Sequence, residues 1–382
     1  MVGTWIQSVA LSWLVFRLSN SAFMLGVVEF ANLLPTLLFG LMGGLIADKF
    51  NRKTVLIITQ SVAMLQAVVL ACLTLFGIIK IWELILLSFI LGMVSAFEIP
   101  SRQAMIVNLV AREDLVNAIS LNSTLFNSAR SIGPAIAAII VSYTSEGFCF
   151  VVNAISFIAA LISLFFLKID LNNIEKSRLP NYSFKLASDF VMSNQTMKII
   201  LLTGGIISFF GLPYSVLLPV YANNLFNGNA ASYASLRALA GVGAFIAALS
   251  LANRGEKKRL VKLIGLAALF FGITLYIFSR ANKFVYAQFI IILVGFCMTT
   301  FLSGAHSLVQ LIVTDNVRGR VMSIYSTTML GIAPLGSLAI GYFAKIYGVR
   351  PALSLSALMS LIAGVFYFLA WNFAKKNFKN EA

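Results

Sequence analysis

The chain has 382 residues, of which 60% are hydrophobic and only 11% charged. Its mean hydropathy is +0.93, whereas soluble domains carry about 25% charged residues, so a water-soluble globule is excluded in favour of a polytopic membrane protein. The net charge of +15 would suggest nucleic-acid binding in a soluble protein, but here the bases sit in short loops between apolar runs, which is the pattern of membrane orientation.

A bilayer core asks for about 20 apolar residues per helix. Twelve segments qualify: 1–17, 22–46, 54–79, 82–99, 116–143, 147–168, 198–222, 232–252, 260–279, 284–305, 320–344 and 350–372. The first is short. Sixteen residues precede Arg17, about 24 Å of helix against a hydrocarbon core of roughly 30 Å. The expectation is a first helix truncated at its N-terminus or continuing upstream, and with it the prospect of a truncated, transport-silent protein. The second segment contains Glu29, the one acid well inside an apolar run. It suits either a proton carrier, since burial favours the protonated carboxyl, or an acid of a wet outer vestibule. Gly40 and Gly44 form a G-x-x-x-G, a spacing that predicts close helix packing.

The second and third segments are joined by Asp48-Lys49-Phe50-Asn51-Arg52-Lys53, a tight basic turn. The fourth ends on Glu98, followed by Pro100-Ser101-Arg102-Gln103. In the fifth, Ser123, Asn127, Arg130 and Pro134 recur at i, i+4, i+7 and i+11, one face of a helix. A mid-bilayer arginine costs about 2.5–3.5 kcal/mol on insertion scales, so Arg130 should face the bundle interior or a wet cavity. It reads as a cargo-binding wall or as a brace between helices. Residues 169–197 are the longest polar stretch between segments and divide the chain into bundles 1–168 and 198–382. Phe184, Ala187, Phe190 and Val191 fall there at helical spacing, either a surface helix or a plain linker. Arg237 lies near the outer end of the eighth segment, where snorkelling is the expectation. His306 is the one histidine, and its place at a helix end makes it incidental unless it titrates. Pro35, Pro134, Pro213, Pro219 and Pro334 interrupt predicted helices. Cys72, Cys149 and Cys297 are scattered in apolar runs and imply neither disulfides nor a metal site.

An internal repeat relates the two bundles. Asn108-Leu109-Val110 matches Gln310-Leu311-Ile312, Gly92 matches Gly295, and Pro134 matches Pro334, at offsets of 202, 203 and 200. The basic turn has a degraded echo at Asn253 to Lys258. Charge sets the orientation. The loops on the Asp48 side, with the C-terminal tail, hold 20 Lys and Arg against 6 opposite, placing that side, the central loop and the C-terminus in the cytoplasm.

The order Gly44-x-x-x-Asp48-Lys49-x-x-Arg52-Lys53 resembles the loop signature of the major facilitator superfamily. With Pro100-Ser101-Arg102-Gln103, Asn127 to Pro134, and Arg318-Gly319-Arg320-Val321-Met322-Ser323, the chain is similar to the enterobactin-exporter-like branch, the transmembrane secretion effectors. The signature departs from the superfamily at Asn51, where Gly is usual; Asn tolerates a left-handed turn. The resemblance implies an all-α membrane fold of twelve helices in two pseudo-symmetric six-helix bundles. It implies a cytoplasmic gate of Gly44, Asp48, Lys49, Arg52, Lys53, Glu98, Arg102, Arg318 and Arg320. Asp48 would receive the N-terminus of the eleventh helix, and Arg52 would pair with Glu98. Candidate cargo contacts are Ser123, Asn127, Arg130 and Glu29.

The expected function is a secondary transporter, exporting a siderophore-like or other amphiphilic small molecule by alternating access. Uptake of a metabolite or metal chelate is the alternative direction. No Walker-type loop is present, so an ion gradient, with protons as the candidate ion, would supply the energy. A membrane enzyme would need paired carboxylates or a histidine cluster, which one histidine and loop-borne acids do not supply. The expected partners are cargo and the lipid bilayer of a bacterial inner membrane, with no nucleic acid and no cofactor, and the expected state is a monomer. The charge count yields a direct test. A cysteine placed at Asn173 should be labelled by an impermeant maleimide only from the cytoplasm, and one at Asn227 only from outside. Labelling of both from one side would exclude the twelve-helix topology.

Overall fold

The computed structural model of the protein describes residues 1–110, 114–167, 184–252, 257–314 and 317–380. The described residues are helices joined by short connections. α1 (Val2–Ser19), α2 (Ala22–Lys49), α3 (Arg52–Leu75), α4 (Ile81–Leu109), α5 (Leu115–Tyr143) and α6 (Glu146–Phe166) come first. The short helix α7 (Phe184–Ser193) follows, so the spacing of Phe184, Ala187, Phe190 and Val191 does mark a helix, with Ala187 and Val191 buried. Then come α8 (Gln195–Ile206), α9 (Leu218–Phe226), α10 (Ala230–Ala252), α11 (Lys257–Ser279), α12 (Phe284–Ile312), α13 (Arg318–Ser326), α14 (Ala333–Tyr347) and α15 (Val349–Asn380). Among the described residues, eleven helical stretches are long and apolar enough to cross a membrane, with α8 to α9 and α13 to α14 each counted as one such stretch. α1 is the remaining helix of the expected twelve. Its 18 residues reach about 27 Å at 1.5 Å each. The repeat match at 108–110 and 310–312 falls at the ends of α4 and α12, each 29 residues long. Both run further than their apolar cores predict, because turns beyond the hydrocarbon need not be apolar.

Connections are set by residues that tolerate or supply the required turn. Asn20 takes a left-handed conformation (φ 46°) after α1, and its N–H returns to the Phe16 carbonyl. Gly77 (φ 70°) follows α3, and Gly348 (φ 90°) separates α14 from α15. Asn51 behaves otherwise than expected. Its φ is −61°, and its side chain accepts from the N–H groups of Lys53 and Thr54 at 3.0 and 3.4 Å. It is the N-cap of α3, a role at which Asn is among the best residues, and no left-handed turn is needed.

The chain forms two compact units, Met1–Arg178 with Ala222–Ala238, and Leu179–Tyr221 with Leu239–Ala382. In the first, Ala63, Ala67, Val94, Ala154 and Phe157 make an apolar core between α3, α4 and α6. A chain of buried amides ties α1 into it. Asn153 donates to Gln7 at 2.8 Å, Gln7 donates to Gln66 at 3.0 Å, and Gln66 donates to the Leu87 carbonyl at 3.3 Å. All three side chains are buried and partnered, as amides away from water must be. α2 and α4 approach at glycines. A Cβ on Gly43 would sit 2.0 Å from the Ala96 carbonyl oxygen, and one on Gly92 2.1 Å from that of Asn32. Ala96 lies four residues before Pro100, which has no N–H to give it, so the glycine Cα packs on an oxygen its own helix has left unbonded. Gly40 and Gly44 have nothing within 4 Å; the G-x-x-x-G spacing pointed at the wrong face, and Gly43 makes the approach.

The second unit repeats this device. Gly243 and the Ile292 carbonyl, and Gly295 and the Ala240 carbonyl, leave 1.9 and 2.0 Å for a Cβ. Here two prolines distort their helices. A π-helical turn (Ile207–Gly211) and a 3₁₀ turn (Leu212–Leu217) surround Pro213, and a second π turn (Thr327–Gly331) precedes Pro334. The two distortions meet. Ser208 Oγ donates to the Met329 carbonyl at 2.7 Å, which in π register would look for the absent N–H of Pro334. Gly336 lies against the Phe209 carbonyl, 2.0 Å from a would-be Cβ, four residues before Pro213.

The glycine seam predicts opposite outcomes at neighbouring positions. Gly43→Ala should destabilise by about 1–3 kcal/mol, as overpacking does, and Gly40→Ala should be neutral or stabilising by up to about 1 kcal/mol through helix propensity. Thermal unfolding in detergent distinguishes them. Equal melting temperatures for the two variants would contradict the seam.

Candidate functional site

The basic turn is a capping device. Helix C-termini expose carbonyls without intrahelical donors and a partial negative charge. Arg52 donates from Nε to the Ala47 carbonyl and from Nη1 to the Ala104 carbonyl, both at 3.1 Å, closing the last turns of α2 and α4. Lys53 Nζ donates to the Phe165 and Leu167 carbonyls at 3.2 and 2.9 Å, closing α6. The turn thus gathers three helix ends. The expected Arg52–Glu98 pair is not formed. Glu98 instead lies 3.8 Å from Arg102 one turn along α4, because the carbonyls of Ala47 and Ala104 occupy the Arg52 guanidinium. Lys49 is exposed and Arg320 half-buried, while Gly44 faces open space. The side chains of Asp48, Arg318 and Ser123 lie outside the described set, and with them the expected docking of Asp48 on the eleventh crossing.

On α5, Asn127 and Arg130 are half-buried. Arg130 does not stand alone on its helix face. Its guanidinium carbon lies 5.9 Å from the centre of the Trp5 ring on α1, within cation–π range, and Phe126 meets the same ring edge-on at 6.0 Å. Gly133, one turn on, lets α1 come close: a Cβ there would lie 2.5 Å from that of Trp5. Phe126, Arg130 and Gly133 therefore form a seat for Trp5. Nothing in the sequence singled out Trp5, since a tryptophan in an apolar run looks like any lipid-facing aromatic until its partner helix is known.

The third cluster also lies in the first unit. Glu29 on α2 and Arg237 on α10 are both half-buried. Neither group makes a hydrogen bond or ion pair within 4.0 Å among the described residues, unlike Glu98 with Arg102 and Arg17 with Glu146. In the latter, Arg17 closes bidentately on Glu146 at 2.9 and 3.3 Å, linking the end of α1 to the start of α6. One turn before Arg237, Tyr233 is fully buried and stacks on Trp13 of α1, with ring centres 6.3 Å apart and planes 19° apart. His306 is exposed, and its ring lies 5.8 Å from that of Tyr325. Glu29 was legible as an intramembrane acid from its place in an apolar run.

Comparison with known proteins agrees with this architecture. The chain is 30% identical over 371 residues to the staphyloferrin A transporter of Staphylococcus aureus, covering 96% of this chain and 93% of the relative. It is 22% identical over 350 residues to macrolide efflux protein A of Streptococcus pyogenes, covering 90% and 86%. Among solved structures, it superposes on a bacterial homologue of the human lysosomal transporter Spinster with a TM-score of 0.78 at 13% identity, covering 97% and 94%. The D-xylose–proton symporter gives a TM-score of 0.74 at 13% identity, covering 96% and 95%; at such identities the likeness speaks to fold. The family model described as transmembrane secretion effector matches residues 1–381, and the chain belongs to that family of major facilitator secondary transporters.

Proposed function

We propose that this transporter exports a small amphiphilic molecule bearing an anionic group, of siderophore type, through the bacterial inner membrane, driven by an ion gradient. The observation that carries the reading is Arg130, a charge midway along a membrane helix and held over the Trp5 ring. An arginine so placed costs energy unless it serves a polar task. Its flat fork fits carboxylate or other oxyanion groups, and the Trp5 and Phe126 rings beside it suit an apolar moiety. Support for cargo class comes from the relative named as a staphyloferrin A transporter, and for direction from the relatives named as efflux proteins. Ser123, Asn127 and Arg130 form the cargo wall in this reading. The basic side, with 20 of the 28 Lys and Arg, faces the cytoplasm. There Gly44, Asp48, Lys49, Arg52, Lys53, Glu98, Arg102, Arg318 and Arg320 make up the inner gate, with Arg52 and Lys53 acting through the helix ends they cap.

Binding per folded molecule tests the anchor, with staphyloferrin A and a macrolide as probes in detergent. Arg130→Met should lower affinity for the anionic probe on the order of tenfold to hundredfold, the loss of a charged hydrogen bond. Arg130→Lys should also bind weakly, because a lysine lacks the bidentate fork. Equal affinity of all three forms, with loss only of folded protein, would make Arg130 a brace and remove it from the site.

A further inference from the structure

We propose that the turn between α11 and α12, together with Arg350 at the start of α15, is a site for the phosphate of an anionic phospholipid. The inference goes beyond the export reading above and does not depend on it.

All of these residues belong to the second unit. The turn, Arg280 to Lys283, starts where one apolar stretch ends at Ser279 and stops where the next begins at Phe284, the depth at which headgroups lie. Its position is fixed by hydrogen bonds. Tyr221 donates to the Phe278 carbonyl, and the Ser279 and Ser354 hydroxyls are bonded at 3.0 Å. Arg350 Nη2 donates to Asn282 Oδ1 at 2.9 Å and, more loosely, to the Ala281 carbonyl at 3.5 Å. Those two contacts bring a third base to the turn that already carries Arg280 and Lys283. Arg280 and Lys283 are exposed, and each lies beside a tyrosine of the adjoining helix. The Arg280 guanidinium carbon is 5.4 Å from the Tyr276 ring centre, and Lys283 Nζ is 5.8 Å from that of Tyr286. α12 and α15 both begin here, and neither has an acid in its first turn.

No acid answers these bases. Between Asp189 and Glu381 the sequence has two acids, Glu256 and Asp315. In sequence the first precedes α11 and the second follows α12, so neither adjoins the turn. The first unit differs. There Arg17 closes on Glu146, and the Lys80 N–H at the start of α4 donates to the Glu83 carboxylate at 2.9 Å. Among the described residues Arg350 makes no ion pair, and its Nε is buried without a hydrogen bond. Three bases and two helix N-termini suit a phosphate, whose oxygens accept from guanidinium groups and from the first N–H groups of helices. The surface beside the turn makes that phosphate a lipid's. Tyr276, Ile277, Val285, Tyr286 and Phe289 are all exposed on α11 and α12, so acyl chains can lie along the same two helices that present the bases. Tyrosines with cations at the end of a crossing are what the headgroup layer selects, and clustered bases there recognise anionic lipid.

Native mass spectrometry of the full chain in detergent tests the site, with dioctanoyl phosphatidylglycerol and dioctanoyl phosphatidylcholine as probes of equal chain length. The anionic lipid should bind at least about tenfold more tightly, since each base near a headgroup contributes on that scale. Replacing both exposed bases, Arg280→Gln with Lys283→Gln, should cut the preference to about twofold or less. Lys80→Gln, an exposed base of the first unit, should leave it unchanged. Arg350→Lys keeps the charge and loses the flat fork, and should weaken phosphatidylglycerol about threefold to tenfold. Glycerol 3-phosphate and inorganic phosphate should compete at least about a hundredfold more weakly than the lipid, because they lack chains to bury. Equal affinity for the two lipids overturns the proposal. So does a preference that survives the double variant in protein of parental melting temperature. If the double variant does not fold, Lys283→Gln alone decides, and an undiminished preference there overturns the proposal. Free phosphate competing as well as the lipid overturns it too, in favour of a soluble anion.

Discussion

A helix inside hydrocarbon has no water to satisfy its carbonyls, so every oxygen that loses its intrahelical N–H needs another neighbour. This chain creates such oxygens at helix ends and before prolines, and much of its architecture consists of covering them. Ser208 donates to the Met329 carbonyl. Gly43 and Gly336 lie against the Ala96 and Phe209 carbonyls, each four residues before a proline. Arg52 and Lys53 donate to carbonyls at the ends of α2, α4 and α6. The same requirement thus selects glycine where two helices must touch and a cation where helix ends gather.

That view changes what the signature turn does. Positive charge between two apolar runs sets orientation, and the individual bases have separate structural duties. Arg52 binds carbonyls of two helices through different nitrogens, which lysine's single ammonium could not arrange in the same plane. Lys53 binds two carbonyls at one helix end, a task for a compact ammonium with several donors. Any movement of α2, α4 or α6 at this end has to carry or break those contacts.

α1 is held by chemistry rather than by greasiness alone. The amides of Gln7, Gln66 and Asn153 tie its first turns to α3 and α6, Trp5 sits in the Phe126–Arg130–Gly133 seat of α5, and Arg17 closes on Glu146. Trp13 adds the stack with Tyr233. Polar pairs of this kind fix the rotation and register of a helix, where apolar contact with lipid-like neighbours would leave it free to turn. The consequence for function is that the intramembrane charge of Arg130 stands beside an aromatic ring that α1 itself carries.

The membrane class, the approximate limits of eleven crossings, and the family were legible in the sequence. They depend on hydrophobic length and local turn chemistry, which act within about 20 neighbouring residues. Glu29 and Arg130 were equally visible, since a charge in an apolar run stands out without a structure. What the tertiary structure decided is every partner. Gly43 rather than Gly40 or Gly44 meets α4 because the facing carbonyl belongs to Ala96, 53 positions away. Arg52 takes Ala104 instead of Glu98 because α4 continues through Pro100 and brings its last carbonyls, not its acid, to the turn. Asn51 caps α3 instead of bending backwards because the chain enters that helix in extended form. Periodicity tells which residues share a helix face; only packing tells which other face it meets, because that choice is made by contacts between residues far apart in the chain.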